Sequence, residues 1–198
     1  MHTKKIRMPK ERLVAFTDGV IAVVITIMVL ELKMPHGDDI AALRPMLPVF
    51  LSYVLSFVYV GIYWNNHHHM FQAAEHVNGP ILWLNLHLLF WLSLVPFTTG
   101  WVGEAHGAAI PVAAYGLVLL FSAIAYTILA KALIRNHGAN SLVSKSSGTK
   151  FKGMMSIVLY VTAIAFAFVD SRISGALYVA VALFWFIPER QIERAMAD

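Results

Sequence analysis

The chain has 198 residues, 59% of them hydrophobic and only 13% charged, with a formal net charge of +4 and a mean hydropathy of +0.68; soluble domains carry about a quarter of their residues as charges, so this one belongs in a membrane. It contains no cysteine, which excludes disulfide frameworks, thiolate metal centres and cysteine nucleophiles and leaves the redox compartment open. Its Lys and Arg lie in short segments between apolar stretches and not on one interleaved basic surface, which argues against nucleic acid as a partner.

Runs of about twenty apolar residues read as membrane helices. They fall near residues 13–33, 46–72, 80–101, 109–134, 153–169 and 173–188, so the expected fold is an all-α membrane protein, one domain over residues 1–198 with six transmembrane helices. No small-residue cleavage site follows the basic start and its apolar run, so the first helix is expected to stay in the mature protein. The last two spans are shorter and are separated only by Asp170, Ser171 and Arg172, while residues 136–152, rich in Ser, Gly and Lys, read as a flexible loop.

Six crossings put both termini on one side. That side carries twelve Lys and Arg, including Lys4, Lys5, Arg7, Lys10 and Arg12 at the start and Arg190 and Arg194 at the end, against Lys33, Arg44 and Arg172 opposite. The asymmetry predicts cytoplasmic termini in a multi-pass protein of the cell membrane. Trp64, Trp83, Trp101 and Trp185 fall near proposed span ends, as interfacial aromatics do, and Pro45, Pro48, Pro80, Pro96, Pro111 and Pro188 lie mainly near span ends too.

The first span, residues 12–32, is long enough to cross a bilayer yet holds Asp18 and Thr26. An ionisable group at a helix centre costs roughly 2.5 to 3.5 kcal/mol, so Asp18 needs a partner. At about 100° per residue, Phe16, Gly19, Val23, Ile27, Leu30 and Met34 share one apolar stripe with Thr26 at its edge, and Asp18 points about 140° away, toward where neighbouring helices would pack. Periodicity leaves two readings open: the stripe faces lipid or core, or copies of this helix surround an axis and pinch it at Val23, Ile27 and Leu30, a constriction that gates by dewetting. The second needs a cyclic oligomer, because one helix cannot enclose a conduit. No TVGYG-like filter occurs and no carboxylate lies on the stripe, so neither a carbonyl cage nor an acidic ring is expected to supply selectivity.

The second span ends in YWNNHHHMF, residues 63–71, and the third begins with WLNLH, residues 83–87. Both lie at the end that holds Arg12 and Asp18, which predicts a structural network satisfying Arg12 and Asp18 through Trp64, Asn66, His67, His68 and Asn85. Successive histidines splay about 100° apart, unlike the i, i+4 pairs of helical metal sites, so no metal is expected. A pH-sensing role for these imidazoles, or a proton-coupled secondary transporter using Asp18, His67 and His68, are the sharper alternatives. No GxSxG, no HExxH and no paired catalytic aspartates appear, and Glu31, Glu104 and Asp170 sit at rims, so neither an enzyme nor a cofactor is expected.

Arg12, the run Phe16, Thr17, Asp18 and Gly19, then the apolar run to Leu32, YWxNHH at residues 63–68 and WLN at residues 83–85 together resemble the prokaryotic members of the transmembrane protein 175 family of potassium channels. The resemblance is strongest through the first three spans. It implies a homotetramer in the lipid bilayer with four first helices around a central pore, passing potassium ions and other monovalent cations. It further implies Val23 as the narrowest ring, Ile27 and Leu30 as the next, Thr26 as a hydroxyl layer, and Arg12, Asp18, Trp64, His67, His68 and Asn85 as a polar scaffold. One departure from the family's Phe-Ser-Asp-Gly is Thr17 in place of Ser, which keeps the hydroxyl and adds a methyl group, so the polar network, with Phe16, Thr17 and Gly19 among its members, is expected to survive.

Overall fold

The computed structural model describes residues 8–138 and 148–186, and there the chain is helical almost throughout. Helix α1, Glu11–Leu30, is followed by a 3-10 turn, Ile40–Met46, and by α2, Leu47–Gln72. Next come α3, Gly79–Ser93, α4, Val95–Glu104, and the long α5, Ala109–His137. The last two are α6, Gly148–Phe166, and α7, Ser171–Phe186.

The helix starts are written in side chains. Asp39 accepts the Ala42 N–H at 3.0 Å to open the 3-10 turn, and Asn78 accepts the Ile81 N–H at 3.1 Å at the start of α3. Asp170 accepts the Arg172 N–H at 2.9 Å, so the three polar residues between the last two spans form a helix cap and a true boundary. Pro48 and Pro80 occupy the first turns of α2 and α3, where a missing N–H costs nothing.

Two features depart from the expected spans. The third is not continuous: α3 breaks at Leu94 into α4, because Pro96 has no N–H to offer back along the helix and crowds the turn before it. Pro96 therefore sits in the middle of the apolar stretch Gly79–Glu104, not near its end. Counting α3 and α4 as one broken span gives six helices. Four stretches, Glu11–Leu30, Ile40–Gln72, Gly79–Glu104 and Ala109–His137, are long and apolar enough to cross a membrane, whereas Lys152–Phe166 and Ser171–Phe186 are shorter. The expected loop within 136–152 is shortened, since α5 runs to His137 and α6 starts at Gly148; residues 139–147 lie outside the described residues, as do Lys4, Lys5, Arg7, Pro188, Arg190 and Arg194.

Helices α2 and α5 form the middle of the bundle and contribute to both of its apolar cores. One core packs Leu13, Ile21, Val24 and Met28 of α1 with Phe71, Leu88 and Leu129. The other is built on tyrosines: Tyr59, Tyr115, Tyr160 and Tyr178 meet edge-on or tilted, with centroids 5.5 to 6.5 Å apart. Close approach there depends on Gly116, where a Cβ would lie 2.1 Å from the Tyr178 hydroxyl and 2.8 Å from Ile164. The open face of Gly116 lets Tyr178 reach across and donate to the Val112 carbonyl at 3.0 Å.

Helix α1 packs against α2, α3 and α4 with one face only. Leu13, Thr17, Ile21, Val24 and Met28 recur every three or four residues and are buried, Val14, Val20 and Ile25 are half-buried beside them, and the opposite side of the cylinder is left open.

Candidate functional site

The open face of α1 carries the stripe read from the sequence. Phe16 is 54% exposed, Val23 55%, Ile27 41% and Leu30 79%, and Gly19 and Thr26 are exposed beside them. Within a single chain the stripe therefore covers no core. The Thr26 hydroxyl donates back to the Val23 carbonyl at 2.9 Å, which leaves its lone pairs directed away from the helix backbone. At Gly19 a Cβ would meet nothing within 4 Å, so the backbone itself is open to an approaching surface.

Beside the stripe runs a groove of about 1010 Å³ between α1 and the broken third span. Phe16, Val23 and Ile27 line one wall and Pro96, Phe97 and Trp101 the other, with Glu31 and Glu104 at its end. Lys33 and Glu104 form an exposed ion pair there, and the neighbouring carboxylate raises the Lys33 ammonium above the ordinary lysine range.

Below the stripe, polar side chains from α1, α2 and α3 meet in two separate links. In the first, the His67 ring Nε2 lies 2.9 Å from the Asn85 amide oxygen, and the Asn85 amide nitrogen donates to the Thr17 hydroxyl at 2.8 Å. All three residues are buried, and the His67 ring stacks on Phe71 with centroids 4.4 Å apart. With the amide donating to Thr17, its oxygen accepts from a protonated Nε2. In the second link, the Trp64 indole N–H donates to the Asp18 carboxylate at 3.0 Å at the exposed edge of α1.

The site thus differs from the expected network in how its members pair. Thr17, not Asp18, is the α1 residue that points into the bundle; Asp18 sits on the flank of the buried face and is exposed. The helical arithmetic explains this: the buried face is centred on Thr17, about 120° from the apolar stripe on one side, whereas Asp18 lies about 140° from that stripe on the other side and so stands about 100° from the centre of the buried face. Trp64 lies well inside α2 and serves Asp18 instead of marking a span end. Arg12 is exposed, and the Asn66 side chain turns back to the Ile62 carbonyl of its own helix at 2.8 Å. His68 is exposed and stacked on Trp64, with centroids 5.8 Å apart. His67, His68 and His69 splay around α2, and the partners of His67 are Asn85 and Phe71, so Asp18 and His67 form no direct hydrogen-bonded relay.

Two residues outside that reading hold the same end together. Lys10 sits on backbone carbonyls at the end of α2, and the His137 ring accepts backbone N–H groups from residues 75 and 76. Their partners are some sixty residues distant along the chain, and no local spacing announces them.

The model of the family described as the endosomal/lysosomal potassium channel TMEM175 matches residues 12–96, the stretch that holds the open stripe and both polar links. The chain is 55% identical over 191 residues to a potassium channel of Chryseobacterium sp. (strain P1-3), covering 96% of this chain and 100% of that one. It is 30% identical over 185 residues to a potassium channel of Streptomyces collinus, covering 88% and 90%. Among solved structures it is similar to the crystal structure of a lysosomal potassium-selective channel TMEM175 homolog from Chamaesiphon minutus, at a TM-score of 0.77 and 27% identity, covering 89% of this chain and 95% of that one.

Proposed function

The chain belongs to the TMEM175 family, one of ion channels and not of enzymes, and from that premise we propose that it forms a homotetrameric, potassium-permeable cation channel of the cell membrane. Four copies of α1 surround the axis, with both termini in the cytoplasm. Val23, Ile27 and Leu30 make the constriction, Thr26 supplies a hydroxyl layer beside it, and no carbonyl filter is involved. The observation that carries this reading is the division of α1 into a buried face and an open one, with the apolar stripe on the open side. Ala15 and Gly19, exposed and four residues apart, support close approach of helix backbones in a membrane.

An ion passing apolar rings loses part of its hydration shell without replacement oxygens, and potassium surrenders water at lower cost than sodium. Potassium and larger alkali cations should therefore pass in preference to sodium, by a modest ratio. Reversal potentials of the purified chain in planar bilayers with potassium on one side and sodium on the other check this; a reversal at zero overturns it. Val23→Ala should raise the leak by lowering the dewetting barrier, and an unchanged current would place the constriction elsewhere. A proton-coupled carrier would instead give saturable, proton-linked flux without unitary currents.

A further inference from the structure

We propose that Lys10 is a positioning residue for the pore helix: its ammonium group, seated on the last carbonyls of α2, sets how far α1 stands along α2 and hence the level at which Val23 meets the axis. The inference rests on the reading of α1 as the pore helix and adds to it the element that holds that helix in place.

Lys10 immediately precedes α1. Its Nζ donates to the Phe71 carbonyl at 2.7 Å, to the Gln72 carbonyl at 3.1 Å and to the Ala74 carbonyl. An ammonium has three protons to give, and here each has an acceptor. Phe71 and Gln72 close α2, where helix carbonyls lack partners within the helix and the helix dipole is negative, so a cation is favoured there. Lys10 is half-buried over these groups, whereas Arg12, two residues on, is exposed. The spacing of bulk charge around a membrane interface explains Arg12; it does not explain a three-way contact with one helix end.

The segment before Lys10 is held on the same loop. Met8 and Val77 exchange both backbone hydrogen bonds, at 3.0 and 2.9 Å, in an isolated antiparallel bridge. The loop, residues 73–78, is fixed in turn to the end of α5. The His137 Nε2 accepts the N–H groups of Glu75 at 3.1 Å and His76 at 3.4 Å, and the Asn78 amide donates to Asn136 at 2.9 Å. A continuous set of bonds thus runs from α5 through the loop to the root of α1. Toward the other end of α1, Val24 and Met28 are buried in the apolar core, and the polar contact beyond the helix is the exposed Lys33 and Glu104 pair. Sliding α1 by one residue, about 1.5 Å, would carry the ammonium beyond hydrogen-bond reach of carbonyls at 2.7 and 3.1 Å unless the side chain followed.

The absence of cysteine makes the test direct. A hydrogen-bonded antiparallel pair has its Cα atoms about 5.5 Å apart, within the range a disulfide spans. The pair Met8→Cys and Val77→Cys is therefore placed in the full chain with Lys10 and with Lys10→Met, in membranes under a mild oxidant. Disulfide formation should be at least tenfold slower in Lys10→Met, and Lys10→Arg should recover most of the rate. In bilayers Lys10→Met should change the leak at least threefold without altering the potassium-to-sodium ratio, and oxidation of the cysteine pair should return the current to its original level. Equal disulfide rates, an unchanged current, or a current that oxidation does not restore would each overturn the proposal. Should Lys10→Met fail to fold, Lys10→Gln carries the same comparison. Val23→Ala recorded in parallel separates the two ideas: an unaltered current there removes the pore reading, while the disulfide rate still reports what Lys10 holds.

Discussion

Asn85 is the residue on which the buried polar link turns. Its amide oxygen faces the His67 ring and its amide nitrogen donates to Thr17, so one side chain ties α3 to both α1 and α2. Asn85→Leu keeps the volume and leaves two buried polar groups without partners, at about 1 to 3 kcal/mol each. Thermal unfolding in detergent should show the loss, and a melting temperature equal to that of the unaltered protein would contradict it. Trp64→Phe should cost less, about 0.5 to 1.5 kcal/mol at most, because Asp18 stays accessible to solvent. The sequence motifs named these residues but not their pairing. Thr17 and Asp18 are adjacent, and only the packed bundle decides that the hydroxyl turns inward and the carboxylate stays at the edge. Lys10 and His137 were illegible for a different reason, since their significance lies in backbone atoms contributed by a distant loop.

At the level of elements, hydropathy located α1, α2 and α5 to within a few residues, because each is a predominantly apolar stretch of twenty residues or more. It passed over the 3-10 turn before α2, whose residues merge into the apolar run that follows, and over the break at Leu94. Apolar composition says nothing of hydrogen-bond continuity; Pro96 does, once it is placed inside the span. The tyrosine core is likewise invisible to a count of apolar residues, although its geometry is demanding. Gly116→Ala should destabilise the bundle by about 1 to 3 kcal/mol through overpacking, since the new methyl group would lie 2.1 Å from the Tyr178 hydroxyl. Adding Tyr178→Phe removes the closest atom and should recover part of that loss. Additive effects in the double variant, measured by thermal unfolding, would show that the two side chains do not compete for one space.

For the molecule as a whole, the one-sided packing of α1 separates folding from assembly. Gly19→Leu projects into open space in the single chain, so the subunit should fold as before while the copies fail to close around the axis. Native mass measurement in detergent should then find monomers in place of tetramers; retention of the tetramer would mean that α1 does not lie at the centre. The orientation can be read independently in the cysteine-free background: Asp38→Cys, in the loop after α1, should react with an impermeant thiol reagent applied outside intact cells, and Gly138→Cys, at the end of α5, should not.

The carbonyls that receive Lys10 lie 61 to 64 residues downstream of it. A ribosome making about 5 to 20 residues per second needs roughly 3 to 13 seconds to supply them. During that interval the first span sits in the bilayer with its root unfastened, free to rise or sink until the end of α2 and the loop after it arrive. Nascent chains stalled before residue 71 should therefore show the first span at mixed depths, and those released after residue 77 at a single one.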